Sequence, residues 1–368
     1  MKERKKSRFS YSLLIPLTLP LMVVYFSVNV IAGNAEKIAQ YSAMALVAYS
    51  GPNDRKNPVS ADSVPPDEMS DEDNSFDAET ESAAPTHEVS SQPASSVPPT
   101  SEKSANVLAK VVEQTYGKAG MTFENISVKN SNKNHSIDIQ AELKKKPDIR
   151  IKKNKKPQVL IVHTHTSEAY ADKFTGAFEP SFQARSQKES ENILSIGNIV
   201  EEALKKAGIG VVHDKTYHDY PEYSGAYSRA KDTIKKNLEK HPSIQVVLDI
   251  HRDAIKQSSG NRIKPTAVIN KKKAAQIMII SGCDDEGKLN FGDWELNMRF
   301  AVRLQKSMAD TYPALARPIN FAPRQYNMNL THGSLLIEFG TDVNTLEEAQ
   351  YSAQLFSNCL VKTLEKLQ

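Results

Sequence analysis

The chain has 368 residues, room for two domains of ordinary size, with 47 Lys and Arg against 44 Asp and Glu and a net charge of +3. So small a charge, on basic residues that are mostly scattered, argues against a nucleic-acid partner. Two cysteines, Cys283 and Cys359, exclude a disulfide scaffold and a cysteine-built zinc site.

In chain order, Lys2, Arg4, Lys5, Lys6 and Arg8 form a basic cluster, and residues 9–35 carry no charge. Residues 13–31 are long and apolar enough to cross a hydrocarbon core of about 30 Å as a helix. A cleaved signal peptide shares the basic start. The run is longer than the usual apolar region of such peptides, however, and no clear small-x-small site follows it directly, Ala32-Gly33-Asn34-Ala35 being the nearest. The expected layout is a cytoplasmic basic tail over 1–10, a transmembrane anchor over 11–32 and a disordered linker over 33–103. Everything past the anchor then lies outside the cytoplasm. The linker is rich in Ser, Pro, Asp and Glu and buries too little apolar surface to offset its chain entropy, so it gives a tethered domain reach.

Residues 104–156 are expected to form a small N-terminal subdomain or a set of edge elements. They show a helical pattern in Val107, Leu108, Val111 and Val112, then β-like pieces over 121–123, 126–128 and 137–139. Lys144-Lys145-Lys146 and the lysines of 152–156 read as a solvated face that can also meet an anionic surface. Past Pro157 strands alternate with helices, which predicts an α/β domain over 157–368 with a mixed central sheet flanked by helices. Strands are expected over 159–162, 209–212, 244–250, 276–280, 318–321 and 334–338. Helices are expected over 192–207, from a Ser224 cap to the residues before His241-Pro242, from an Asp293 cap, and from a capping box in Thr345-Leu346-Glu347-Glu348.

Three of these strands end in chemistry. Val159-Leu160-Ile161-Val162 runs into His163-Thr164-His165-Thr166-Ser167-Glu168, residues 246–250 into His251-Arg252-Asp253, and Leu335-Leu336-Ile337 into Glu338. In open α/β sheets the carboxyl ends of strands are where ligands bind. A single-metal hydrolase needs about three protein ligands, an open position and a carboxylate to take a proton from water. His163 and His165 alternate, so they point to opposite faces. His165, at the very end of the run, is the expected ligand, and His163 a buried supporting or packing residue. His251 is the second histidine ligand. Glu168 can fold back to the same point, Glu189 and Glu191 being the other acidic candidates. Arg252 and Asp253 can orient ligands or hold a substrate carboxylate. Glu338 is the expected general base, desolvation at the end of an apolar strand raising its pKa. His332 reads as a loop residue.

The blocks 163–170 (HTHTSEAY), 249–254 (DIHRDA), 335–340 (LLIEFG) and 344–349 (NTLEEA), with His213-Asp214-Lys215-Thr216 and His218-Asp219 between them, resemble the stage II sporulation protein P family over roughly 157–368. The anchor and long spacer match that family's layout. The resemblance implies an amidase-like fold and a membrane-anchored peptidoglycan hydrolase of endospore formers, related to zinc-dependent N-acetylmuramoyl-L-alanine amidases. Such an enzyme cuts the bond between muramic acid and the stem peptide, and also stem-peptide cross-links. It implies action at the sporulation septum during forespore engulfment, with stage II sporulation proteins D and M as partners. Zn2+ would be held by His165, His251 and a glutamate, with Glu338 as the base. In the related amidases the glutamate opens a helix, which selects Glu189 or Glu191, whereas Glu168 lies within the sporulation family's own block. Two rival classes remain: a non-catalytic wall-binding or assembly module on the same tether, and a different metal-dependent hydrolase. The first has no need of a base beside a metal.

Overall fold

The aliphatic runs become the inner strands of a mixed sheet. A computed structural model of the chain describes residues 109–178 and 184–368. The expected tail, anchor and linker lie outside the described residues, and no helix among those described is long and apolar enough to cross a membrane.

In chain order come β1 (Val111–Gln114), β2 (Met121–Phe123), β3 (Ile126–Asn130), α1 (Ile139–Lys144), β4 (Asn154–Val162), α2 (Leu194–Lys206), β5 (Ile209–His213), α3 (Ala226–Lys240), β6 (Val246–Asp253), β7 (Arg262–Ile269), β8 (Lys272–Ala275), β9 (Ile277–Gly282), α4 (Trp294–Thr311), β10 (Ile319–Ala322), a short 3₁₀ turn (Met328–Leu330), β11 (Gly333–Thr341) and α5 (Leu346–Glu365). Eight strands form the main sheet in the order β2-β3-β10-β9-β11-β6-β4-β5, and β1-β7-β8 form a small second sheet. Strands β5, β4, β6 and β11 are mutually parallel. Strand β9 turns antiparallel to β11 and carries β10 and β3 with it. The carboxyl ends of β4, β6 and β11 therefore meet at one edge, and those of β9, β10 and β3 at the other.

Strands β6, β9 and β11 are buried along their whole length. That is the burial expected of strands with both faces covered. Helices α2, α4 and α5 contribute Val200, Leu204, Phe300, Leu304, Phe356 and Leu360 to the larger core, while Ile234 of α3 packs with Leu160, Val162 and Val247 on the other face. The capping box at α5 is complete. Thr345 Oγ1 accepts from Glu348 N at 3.2 Å and Glu348 Oε2 accepts from Thr345 N at 3.1 Å.

Several expectations need correcting. Val111 and Val112 belong to a strand, because their β-branched side chains and the ladder offered by β7 outweigh one turn of apolar periodicity. The apolar residues at 137–139 lead into helix α1, since Asp138 Oδ1 accepts from Ala141 N at 2.9 Å and caps it. Helix α3 opens on Gly225, in the left-handed region at φ 75°, and not on a Ser224 cap. Strands β2 and β3 extend the main sheet, so these pieces of 104–156 are edge elements.

Candidate active site

The register of β11 on β6 places Glu338 beside His251 as a Cα partner, so both side chains leave the sheet on one face. Asp249 and Asp253 alternate with His251 along β6 and share that face. His165, in the turn just past β4, meets the His251 ring edge-on, with centroids 5.4 Å apart. Glu168 follows in the same turn, its Oε2 3.5 Å from His251 Nδ1. That oxygen accepts from Arg252 N at 3.0 Å, and the Arg252 guanidinium is anchored on the carbonyls of Ala169 and Ala184. Arg252 thus holds Glu168 in place from within the protein. Asp253 is likewise engaged internally, by Arg317 Nη1 at 2.8 Å.

Four buried polar atoms at this edge lack an aligned hydrogen-bond partner: His165 Nδ1, His251 Nε2, Glu338 Oε2 and Asp342 Oδ1. His251 Nε2 lies 2.8 Å from Asp249 Oδ1 but off the line of a hydrogen bond. Asp249 itself is fixed by Thr164, whose N and Oγ1 donate to it at 2.8 and 2.6 Å. Buried polar atoms without partners cost free energy, so their concentration here marks a place kept ready for a ligand.

The electrostatics separate the two glutamates. Burial alone would raise the Glu168 pKa, but Arg252 and His251 outweigh it and hold the carboxyl well below its ordinary range. Burial raises Glu338 well above that range, and the charges of Asp253 and Glu168 push it further. Burial drives His165 down to about 3, so its imidazole is neutral with a lone pair to give. His251 is raised: burial opposes its charge, and the carboxylates of Asp249 and Glu168 overcome that. A neutral imidazole with a bare Nδ1 in His165, an ionised carboxylate in Glu168 and an imidazole in His251 that gives up its extra proton on binding are residue types that fit zinc, with Glu338 held more basic beside them.

Glu189 and Glu191 are turned elsewhere. Glu189 pairs with Lys215 at 2.5 Å and Glu191 with Lys188 at 3.0 Å, both on the surface. His163 is fully buried and its ring nitrogens meet Ile250 O at 2.9 Å and His213 Nε2 at 2.8 Å. His332 pairs with Asp148 at 2.7 Å, just ahead of the start of β11.

Sequence reasoning did not single out Asp249, Tyr223 or Tyr227. Asp249 is two residues from His251 on a strand and so on its face, a signal that was available. Tyr223 stacks on His165 with centroids 4.6 Å apart, and Tyr227 meets it edge-on at 5.6 Å. Their separation of about sixty residues from His165 hides both.

A tighter gathering of metal-type donors lies at the opposite sheet edge, where His135, Cys283 and Asp285 offer atoms within 4.8 Å of one another. These groups are already engaged. Asp285 accepts from Lys133 N and Asn134 N, Cys283 Sγ contacts Asn132 Oδ1 at 2.8 Å, and His135 Nε2 contacts Asp284 O at 3.1 Å. Burial and the neighbouring acidic groups push the Cys283 thiol up to about 12, so it stays protonated.

The fold and this edge describe an α/β protein with a polar, buried site at the ends of three parallel strands. The chain belongs to the stage II sporulation protein P family, whose profile matches residues 61–361. Stage II sporulation protein P of Bacillus subtilis (strain 168) is 30% identical over 209 residues, 54% of this chain and 49% of that protein. The matched stretch thus spans about half the length of that relative. Among solved structures, the chain is similar to N-acetylmuramoyl-L-alanine amidase AmiC2 of Nostoc punctiforme, with a TM-score of 0.34 and 13% identity over 58% of this chain and 97% of that one. It is similar to the catalytic domain of the amidase CwlV of Bacillus (Paenibacillus) polymyxa, with a TM-score of 0.34 and 16% identity over 56% and 98% of the two chains.

Proposed function

We propose that the chain is a zinc-dependent peptidoglycan hydrolase acting in sporulation, an N-acetylmuramoyl-L-alanine amidase that also cleaves stem-peptide cross-links. It would be anchored by residues 11–32 with its folded domain outside the cytoplasm, and would work in forespore engulfment with stage II sporulation proteins D and M. One observation carries the chemistry: His165, Glu168, His251 and Glu338, from three separate strand ends, share one buried edge where polar atoms lack partners.

His165, Glu168 and His251 would hold the ion, backed by Tyr223, Arg252 and Asp249. When bound, zinc supplies Lewis acidity that polarises the scissile carbonyl and makes water a nucleophile near neutral pH. Glu338 takes the proton from the attacking water and returns it to the leaving amide nitrogen. Its raised pKa suits both roles, since a carboxyl too acidic gives up its proton readily but accepts one poorly. Arg317 holds Asp253 aside, so that Glu338 alone is the free carboxylate on that face.

The test is digestion of purified peptidoglycan by native protein, chelator-treated protein and Glu338→Ala, with products identified by mass spectrometry. Free stem peptides reveal the amidase and lost cross-links the endopeptidase; both should vanish in the two controls. Native protein that binds the wall but releases nothing, even with the glycan-cleaving partner present, would make it a tethered wall-binding module instead.

A further inference from the structure

Resting on that zinc-site reading, we propose that Tyr223 is a positioning residue for His165: its hydroxyl accepts the Nε2 proton of His165 and leaves the lone pair of the buried Nδ1 for the metal ion. The hydroxyl lies 3.2 Å from His165 Nε2, and the two rings stack with an interplanar angle of 9°. Each imidazole in its neutral form carries one proton, so a partner that accepts a hydrogen bond from one nitrogen's N–H leaves the lone pair on the other. A histidine that binds a metal commonly donates its remaining N–H to such a partner. Here that partner is a phenol on the segment between β5 and α3.

Tyr223 is itself held. It is 38% exposed and so is not fixed by burial, but the Arg185 guanidinium lies over its ring, 4.4 Å from the centroid. Arg185 Nη1 is tied to Asp219 Oδ2 at 2.5 Å. The same Asp219 oxygen accepts from Ser167 Oγ at 2.6 Å. Ser167 sits in the turn that also carries His165 and Glu168. The clamp and the histidine it orients therefore belong to one connected network, and Tyr227 meets the His165 ring edge-on.

The experiment measures zinc affinity of the full chain by competition with a chromogenic chelator, for native protein, Tyr223→Phe and Arg185→Met, alongside melting of each zinc-free form. Tyr223→Phe keeps the stacked ring and removes only the oxygen. It should bind zinc about tenfold or more weakly, as partners behind a ligand typically require, while its zinc-free melting stays that of the native chain. Arg185→Met loosens the ring and keeps the hydroxyl, so a smaller loss in the same direction is expected. Native affinity in Tyr223→Phe would overturn the proposal. Should that variant not fold, Arg185→Met decides alone: weakened affinity supports the clamp and native affinity overturns it. A native chain that takes up no zinc would instead sink the zinc hydrolase itself.

Discussion

At one edge of the central sheet stand His165, Glu168, His251 and Glu338; at the other stand His135, Cys283 and Asp285. The second group is the more tightly gathered, with donor atoms within 4.8 Å of one another, yet its thiol, carboxylate and imidazole all have protein partners. The first group is looser and holds three buried polar atoms with no aligned partner. Proximity of donors is therefore a poor guide by itself. A satisfied cluster ties loops together, and an unsatisfied one has been held open against a cost that something else must offset.

The largest effect that would break or sharpen this contrast is on turnover. Glu338→Gln removes the proposed base while keeping the shape, and should slow amide hydrolysis by about 10²–10⁴-fold with zinc still bound. Metal retention with lost product release separates this from collapse of the site.

His163 sharpens the contrast within the first edge, because it sits next but one to His165 and is fully partnered. Its buried imidazole stays neutral down to about 3, whereas in the unfolded chain it takes a proton near 6.5. The unfolded state thus holds the extra proton throughout that window, so stability rises with pH across it and is lost as pH falls. At about 1.4 kcal/mol per unit, the loss is at most a few kcal/mol. Denaturant unfolding at several acidic pH values should show a shallower slope for His163→Gln than for the native chain.

Asp249→Asn comes next. The carboxylate stands 2.8 Å from His251 Nε2, and losing its negative charge beside the proposed ion should weaken zinc by about tenfold or more in a chelator titration. The smallest effect belongs to the satisfied cluster. Cys283→Ala should cost about 1 kcal/mol of stability through its lost contact with Asn132, with peptidoglycan cleavage unchanged.

Much of the site is legible in sequence because it depends on local rules. An apolar run ending in a polar residue marks a strand's end, and alternation marks a face, so His165, His251 and Glu338 can be read without knowing how the strands pair. The capping box at Thr345 is legible for the same reason. What stays hidden depends on long-range pairing. Nothing near Val111 announces that β7 will take it as a strand partner, and nothing near Tyr223 announces that its ring will lie on His165. Glu168, Glu189 and Glu191 are chemically alike in sequence, and only the turn past β4 brings one of them to His251.

On the proposed function, the unsatisfied edge, and not the tighter cluster, holds the metal. Zinc content of the purified full chain tests it most directly, measured for the native protein, for His165→Ala with His251→Ala, and for His135→Ala with Cys283→Ala. Zinc should be lost with the first pair of substitutions and kept with the second. Zinc that survives the first pair and disappears with the second would contradict it.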